Sequence, residues 1–257
     1  MQHSNYQLFK QLHYNKEALI LPNAWDAKSA KTFQESGFEA VATSSVAVAN
    51  ALGHEDGEQL PFHELLFVVR RICHSTKLLV SVDIEGGYSR NPSQICSHID
   101  QLCQLGVVGI NIEDSIAEGL RRISDASAFS KILEQIKSFC MNRKLDVFLN
   151  VRTDTYLLNI QNRFEHTLER IEIYENSGGD GIFIPCLTNL EEMSLFCQKT
   201  ALPINVMCIP DLPSFSELSR TGVKRISMGP FVFEFLSRQQ SMVTSRILQE
   251  RSFKSLF

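Results

Sequence analysis

The chain lacks the marks of several protein classes. No run of about 18 apolar residues occurs in it, which leaves no candidate for an ordinary membrane-spanning helix. Its start, MQHSNYQLFKQLHYNKEALI, holds no apolar stretch of the kind a secretory signal needs. Basic residues form no tract, since Arg70-Arg71 and Arg121-Arg122 stand only as pairs. The net charge of −4 works against a polyanionic partner, so no nucleic acid is expected. The seven cysteines (73, 96, 103, 140, 186, 197, 208) are odd in number and never spaced C-x-x-C. A disulfide framework or a zinc knuckle would read differently. Neither G-x-G-x-x-G nor G-K-[ST] follows the first apolar run, and no Pro/Gly/Ser-rich joint divides the sequence. The expectation is a cytoplasmic protein without a membrane partner, folded as one domain over residues 1–257.

What is present is a repeat of short apolar runs, each followed by an amphipathic stretch. The runs are 18–24, 39–45, 77–85, 106–114, 145–154, 178–186, 202–208 and 222–229, eight in all. They are near-continuous in Val, Ile, Leu, Phe and Ala, as strands of a parallel sheet covered on both faces must be. Helix-like stretches lie between them at 27–37, 60–76, 91–106, 126–142, 163–178, 189–200 and 213–222, several ending at Gly (37, 106, 178, 222). Eight β/α repeats in 257 residues predict an α/β protein of the (β/α)8 barrel, or TIM barrel, type. A doubly wound open sheet is the alternative, and the missing Gly-rich phosphate turn counts against it. Cys186 and Cys208 read as small buried core residues, and the scattered histidines as surface or structural groups.

Barrel chemistry sits at the C-terminal ends of the strands. Those ends carry Thr43, Ser44 and Ser45; Asp83 and Glu85; Asn111, Glu113 and Asp114; Arg152, Thr153 and Asp154; and Asn205. Asp83 and Glu85, two apart, are expected to share one side of a strand. With Glu113 from the next strand they form an all-oxygen set that suits Mg²⁺ or Mn²⁺. An acidic loop merely paired to Arg152 is the plainer reading. Arg152 can fork onto a substrate carboxylate or an enolate oxygen. Thr43-Ser44-Ser45 offers hydroxyl and N–H donors to an anion, and Asp56, in LGHEDGE, is either an acid–base group or a turn residue.

In this order, LPNAWDAKSA, GFEAVATSS, LGHEDGE, VDIEGGY, GINIEDS, NVRTD and GVKRISMG resemble the isocitrate lyase/phosphoenolpyruvate mutase superfamily, from about residue 18 to 230. The resemblance implies a barrel that swaps its last helix between subunits, giving homo-dimers or homo-tetramers. It also implies a Mg²⁺-dependent site for 2-oxo acids or phosphoenolpyruvate-like substrates. By this resemblance Asp83 binds Mg²⁺, and Glu85 and Glu113 hold it directly or through water. Ser44, Ser45 and Val46 take the substrate carboxylate, Asp56 lies near the reacting end, and Arg152 contacts the enolate or carboxylate. Asn205 joins the substrate-binding set from its strand end.

The departures are specific. Lyases of the superfamily carry a Lys-Lys-Cys-Gly-His loop after the fourth strand, and mutases an Asn there. Here the segment reads SIAEGLRRIS (115–124), without Cys, His or Asn. Glu85 stands where an Asp is usual, and the sixth strand ends in Pro-Cys rather than His. The expected function is a Mg²⁺-dependent lyase or decarboxylase of a small 2-oxo or 2-hydroxy dicarboxylate such as oxaloacetate. The alternatives are a phosphoenolpyruvate mutase or hydrolase and a 2-oxo-acid-binding protein without turnover.

Overall fold

The computed structural model describes residues 4–257. The chain opens with α1 (Asn5–Leu12), then β1 (Leu19–Leu21), β2 (Asn23–Ala24), α2 (Ala27–Glu35), β3 (Ala40–Thr43), α3 (Ser45–Ala51), α4 (Phe62–Ser75) and β4 (Leu79–Asp83). Next come α5 (Pro92–Gln104), β5 (Gly109–Glu113), the short pair β6 (Ser115–Ile116) and β7 (Arg122–Ile123), α6 (Ala126–Arg143) and β8 (Phe148–Arg152). The last third holds α7 (Arg163–Asn176), β9 (Gly181–Phe183), α8 (Leu190–Lys199), β10 (Ile204–Met207), α9 (Phe215–Thr221), β11 (Arg225–Ser227) and α10 (Phe231–Glu250).

All eight predicted runs are strands of one parallel sheet, ordered β1-β11-β10-β9-β8-β5-β4-β3-β2. β1 and β2 are two halves of one segment, parted at Pro22, which has no N–H to give a ladder. β1 pairs with β11 and β2 with β3, so the first segment closes the ring. Asn23 seals this seam: its amide nitrogen donates to Thr43 O (2.8 Å), while its oxygen accepts from Met228 and Gly229 N–H (2.9 Å each). The architecture is the expected barrel.

The strands bury both faces. Ile84, Ile110, Ile112, Val151, Ile182 and Val206 pack outward against the helices in the main core. A second cluster of Phe9, Leu21, Ala40, Ala42, Val108 and Phe148 fills the interior at the N-terminal end. The small residues Ala40, Ala42 and Gly109 leave room that α1 occupies from outside the sheet. A Cβ on Gly109 would lie 2.6 Å from Phe9 Cε1. His13 stacks on Phe148 (4.3 Å between centroids) and donates from Nδ1 to Phe9 O (2.8 Å). Burial, with the nearby Arg225 charge, pushes its imidazole down to about 3, so it stays neutral.

Three features were outside the sequence expectation. α1 was not predicted, α3 fell between the second apolar run (39–45) and the next helix-like stretch (60–76) without being assigned, and the β6–β7 hairpin gave no periodic signal. α10 departs from an ordinary barrel helix in having no buried residue along its 20-residue length. Cys208 is exposed rather than buried, because it lies just past the end of β10.

Phe9→Ala removes the plug side chain at the closed end of the barrel. The expected cost is about 3–5 kcal/mol in denaturant unfolding; a loss under about 1 kcal/mol would show that α1 is not part of the core.

Candidate active site

At the C-terminal ends of the strands lies a cavity of about 210 Å³, suited to a molecule of a few carbons. Its wall includes Ser44, Ser45, Val46, Asp56, Asp83, Arg121 and Arg152, with Asn111 and Ser227 deeper and Phe183, Met207 and Phe231 as the apolar side. Six of the residues predicted from sequence therefore meet in one place.

Ser44 ends β3 as the N-cap of α3, where its hydroxyl accepts the Ala47 N–H at 3.3 Å. Ser45 and Val46 occupy the first turn of that helix, whose N–H groups have no intrahelical acceptor. Thr43 Oγ1 accepts the Asp83 N–H (2.9 Å), locking β3 to the end of β4. Beneath the wall, Asn111 Oδ1 accepts from Asn150 (2.9 Å) and from Arg225 (3.1 Å). Arg225 is fully buried, and burial pushes its guanidinium down to about 9.

Arg152 is the fixed centre of the site. Its Nε and Nη2 grip Asp154 at 2.6 and 3.2 Å, and its Nη1 lies 3.0 Å from Glu113 Oε2. Asp154 is held in turn by Ser115 Oγ (2.6 Å) and by its own N–H on Asp114 Oδ1 (3.1 Å). Asp114, fully buried, accepts from Arg170 and Tyr174 of α7 at 2.8 Å each. Burial opposes the charge on Asp154, but Arg152 holds its carboxyl below the usual range.

Two expectations about individual residues are corrected. Asp83 and Glu85 do not share a strand face, because β4 ends at Asp83. Glu85 sits in the left-handed region (φ +50°) just before Gly86-Gly87, where the chain turns. Its carboxylate faces the 56–58 loop instead, accepting from Glu58 N–H (2.9 Å) and Tyr88 OH (3.2 Å). Asn205 is fully buried inside the barrel and does not line the cavity. Its oxygen accepts from Asn150 (3.0 Å), while its amide nitrogen lies within 3.3 Å of Val206 O, Arg225 O and Ser227 Oγ.

Arg121 went unnoticed in the sequence as a site residue. The β6–β7 hairpin delivers its guanidinium onto Glu113, with Ser115 Oγ at 2.9 Å, Asp154 at 3.3 Å and Asp56 at 3.4 Å. The available signal was a lone pair of cations in a loop beside an acid-rich ring.

Among the described residues, no three His, Cys, Asp or Glu side chains are placed as a ready metal cluster. Only Asp83 of the three predicted ligands reaches the cavity wall, while Glu85 and Glu113 lie behind it. Mg²⁺ asks for one or two carboxylates and keeps several waters, so this set fits a hydrated dication on Asp83. The charge balance points the same way. Asp56, Glu58, Asp83, Glu85, Glu113 and Asp154 crowd a region whose guanidinia are Arg90, Arg121 and Arg152. Burial raises Asp83, opposed chiefly by Arg152. Burial also pushes Glu85 up to about 9, reinforced by the charges of Asp56, Asp83, Glu113 and Glu58.

Comparison with known proteins gives the family. The sequence model described as phosphoenolpyruvate phosphomutase matches residues 9–248. The chain belongs to that family. An uncharacterised Mycobacterium tuberculosis protein is 36% identical over 86% of this chain and 81% of its own. An oxaloacetate decarboxylase of Pseudomonas putida is 23% identical over 86% of this chain and 77% of its own. The crystal structure of a candidate phosphonomutase from Burkholderia cenocepacia superposes with TM-score 0.89 at 31% identity, over 95% of this chain and all of that one. The protein is thus an enzyme of the isocitrate lyase/phosphoenolpyruvate mutase superfamily, a lyase or phosphonomutase in type.

Glu85 yields a pH prediction. Its folded-state carboxyl is raised, so the fold prefers the neutral acid. Stability from this group is full below about pH 4.5 and is lost as pH rises towards about 9. With chelator present, Glu85→Gln is expected to flatten the decline in thermal midpoint between pH 5 and 8.5. Parallel curves for the two proteins would contradict the assignment.

Proposed function

We propose that this enzyme is a divalent-metal-dependent lyase or decarboxylase of a small 2-oxo dicarboxylate, of which oxaloacetate is the simplest case. The observation that carries the reading is the meeting of Asp83, the serine turn and the locked Arg152 at a cavity sized for a few carbons. The hairpin at 115–124, which brings an arginine and no Cys or His, supports a reaction that needs no proton donor on that loop. The activity of the Pseudomonas putida relative is consistent with it.

Ser44, Ser45 and Val46 hold the carboxylate next to the 2-oxo group through hydroxyl and N–H donors. Asp83 would hold the metal, with Glu85 and Glu113 able to reach it through water; Mg²⁺ or Mn²⁺ suits this oxygen set. What the dication supplies when bound is Lewis-acid polarisation of the 2-oxo oxygen. Arg152, held by Asp154 and Glu113, keeps a fixed positive charge near that oxygen without reorganising. The bond between C3 and the departing carboxylate breaks, its electron pair passes into the enolate, and CO₂ leaves. Water then returns a proton to C3, with Asp56 beside the reacting end as the side chain able to relay it. Burial of Asp83 and Asn111 and the apolar wall of Phe183 and Phe231 limit bulk water around the developing charge.

We also take α10 to pack on a second copy of the chain in a homo-dimer or a dimer of dimers. Its Phe235, Leu236, Met242 and Leu248 are exposed, and no residue of the helix is buried by its own chain. Sedimentation is expected to show a dimer or tetramer at micromolar concentration; a monomer there would remove this assembly.

Oxalate, a planar mimic of the pyruvate enolate, tests the site. At about 100 times its dissociation constant it adds roughly 2.7 kcal/mol, which corresponds to a rise of about 5–10 °C in thermal midpoint. The rise is expected only with Mg²⁺ present and is expected to vanish in Asp83→Ala. No rise in the wild type would overturn the enolate reading.

A further inference from the structure

We infer that Arg121 is the residue that receives the second carboxylate of the substrate and so sets the preference for dicarboxylic over monocarboxylic 2-oxo acids. This rests on the function proposed above and deepens it. The superfamily resemblance and the strand-end pattern both pointed to Arg152 for carboxylate recognition, but the hydrogen bonds distribute the two guanidinia differently. Arg152 donates from Nε and Nη2 to Asp154, and its Nη1 is ion-paired with Glu113 Oε2 at 3.0 Å, so each nitrogen already faces an acid. A carboxylate forking onto Arg152 would have to displace Asp154 at 2.6 Å from Nε, and Asp154 is itself fully buried and pinned by Ser115 and Asp114.

Arg121 has donors to spare. Its Nη1 carries the contacts to Glu113, Ser115 and Asp154, whereas Nη2 has one long contact, 3.4 Å to the exposed Asp56. Its Nε has no hydrogen-bond partner among the described residues. The Nε/Nη2 edge of a guanidinium is one that a carboxylate engages with two parallel bonds. The side chain also lines the cavity directly, alongside Arg152 and Asp83. Its carrier suits adjustment: the hairpin tip at Gly119-Leu120 has Gly119 in the left-handed region and Leu120 92% exposed, so moving it disrupts little packing.

The chemistry of such a contact favours a substrate with charge at both ends. The serine turn takes one carboxylate, and a cation that cannot titrate near neutral pH takes the other. An arginine in this place does not supply a proton, which agrees with a reaction whose final proton comes from water.

The test compares two ligands at pH 7.5 with Mg²⁺, by titration calorimetry: 3,3-difluorooxaloacetate, with two carboxylates, and pyruvate, with one. Wild type, Arg121→Ala, Arg121→Lys and the neighbouring Arg122→Ala are titrated. Arg121→Ala is expected to weaken the diacid on the order of 30- to 100-fold and pyruvate by less than about 3-fold. Arg121→Lys is expected to recover part of the diacid affinity, and Arg122→Ala to match the wild type. Equal weakening of both ligands in Arg121→Ala and Arg121→Lys, or none in either, would overturn the assignment. If Arg121→Ala does not fold, the Lys variant decides by the same ratio between ligands. A wild type that binds neither ligand would instead bring down the proposed function, and the role of Arg121 with it.

Discussion

The site depends on one constraint: several carboxylates must remain folded together at the mouth of a barrel with few cations near them. Arg152 meets most of that demand by bridging Glu113 and Asp154 from the end of β8. Breaking such a buried pair by removing one partner typically costs about 3–5 kcal/mol, because the other charge is left uncompensated. The surrounding elements are arranged to keep this bridge in register. β5 and β8 pair Glu113 with Arg152 directly, and α7 contributes Arg170 and Tyr174 to Asp114, which in turn holds the Asp154 backbone. Arg170 also donates to Ser124 O, so the same helix anchors the foot of the β6–β7 hairpin. Fold stability and site geometry are therefore the same set of contacts on this side of the barrel.

The charge that Arg152 and Arg121 leave unbalanced is what gives the site its chemistry. Burial raises both Glu85 and Asp83, the Asp56 charge adds to each and the Asp83 charge to Glu85, a state that a bound dication would relieve. A cavity with a surplus of buried carboxylate on one wall and serine donors on another accepts a metal and an anionic ligand together more readily than either alone. The hairpin then differs from the loop found in the superfamily's better-known lyases by bringing a permanent cation where they bring a thiol and an imidazole.

Much of this was legible in the sequence, for physical reasons. Strands buried on both faces must be apolar throughout, so all eight appeared as continuous runs, and their polar ends marked the cavity wall at Ser44, Asp83 and Arg152, with Asp56 added from the loop after the second run. What escaped had weaker signatures. α3, SVAVANA, has seven residues and almost no polar face, too little for a helical period to show after the run that ends at Ser45. α1 exposes half of its residues and packs through Phe9, helped by Tyr6 and Leu12, with Phe9 filling space left by Gly109 on a strand a hundred residues away. Glu85 was placed on the strand by its spacing, although Gly86-Gly87 signalled that the chain was already turning. Asn205 sits at a strand end in sequence yet serves the interior, since a polar residue in a barrel can face either the cavity or another asparagine. The importance of Arg121 is a matter of which donors remain free, and no sequence pattern encodes that.

In the proposed reaction, Asp83 and its neighbours stabilise the enolate of a 2-oxo acid. Exchange of the pyruvate methyl protons in D₂O, followed by proton NMR, reports that step without requiring the natural substrate. The wild-type enzyme with Mg²⁺ is expected to accelerate loss of the methyl signal well above the Mg²⁺-only rate. Asp83→Ala or chelator is expected to abolish the acceleration. Exchange no faster than the Mg²⁺ control, in a protein that is folded and binds oxalate, would contradict the proposed reaction.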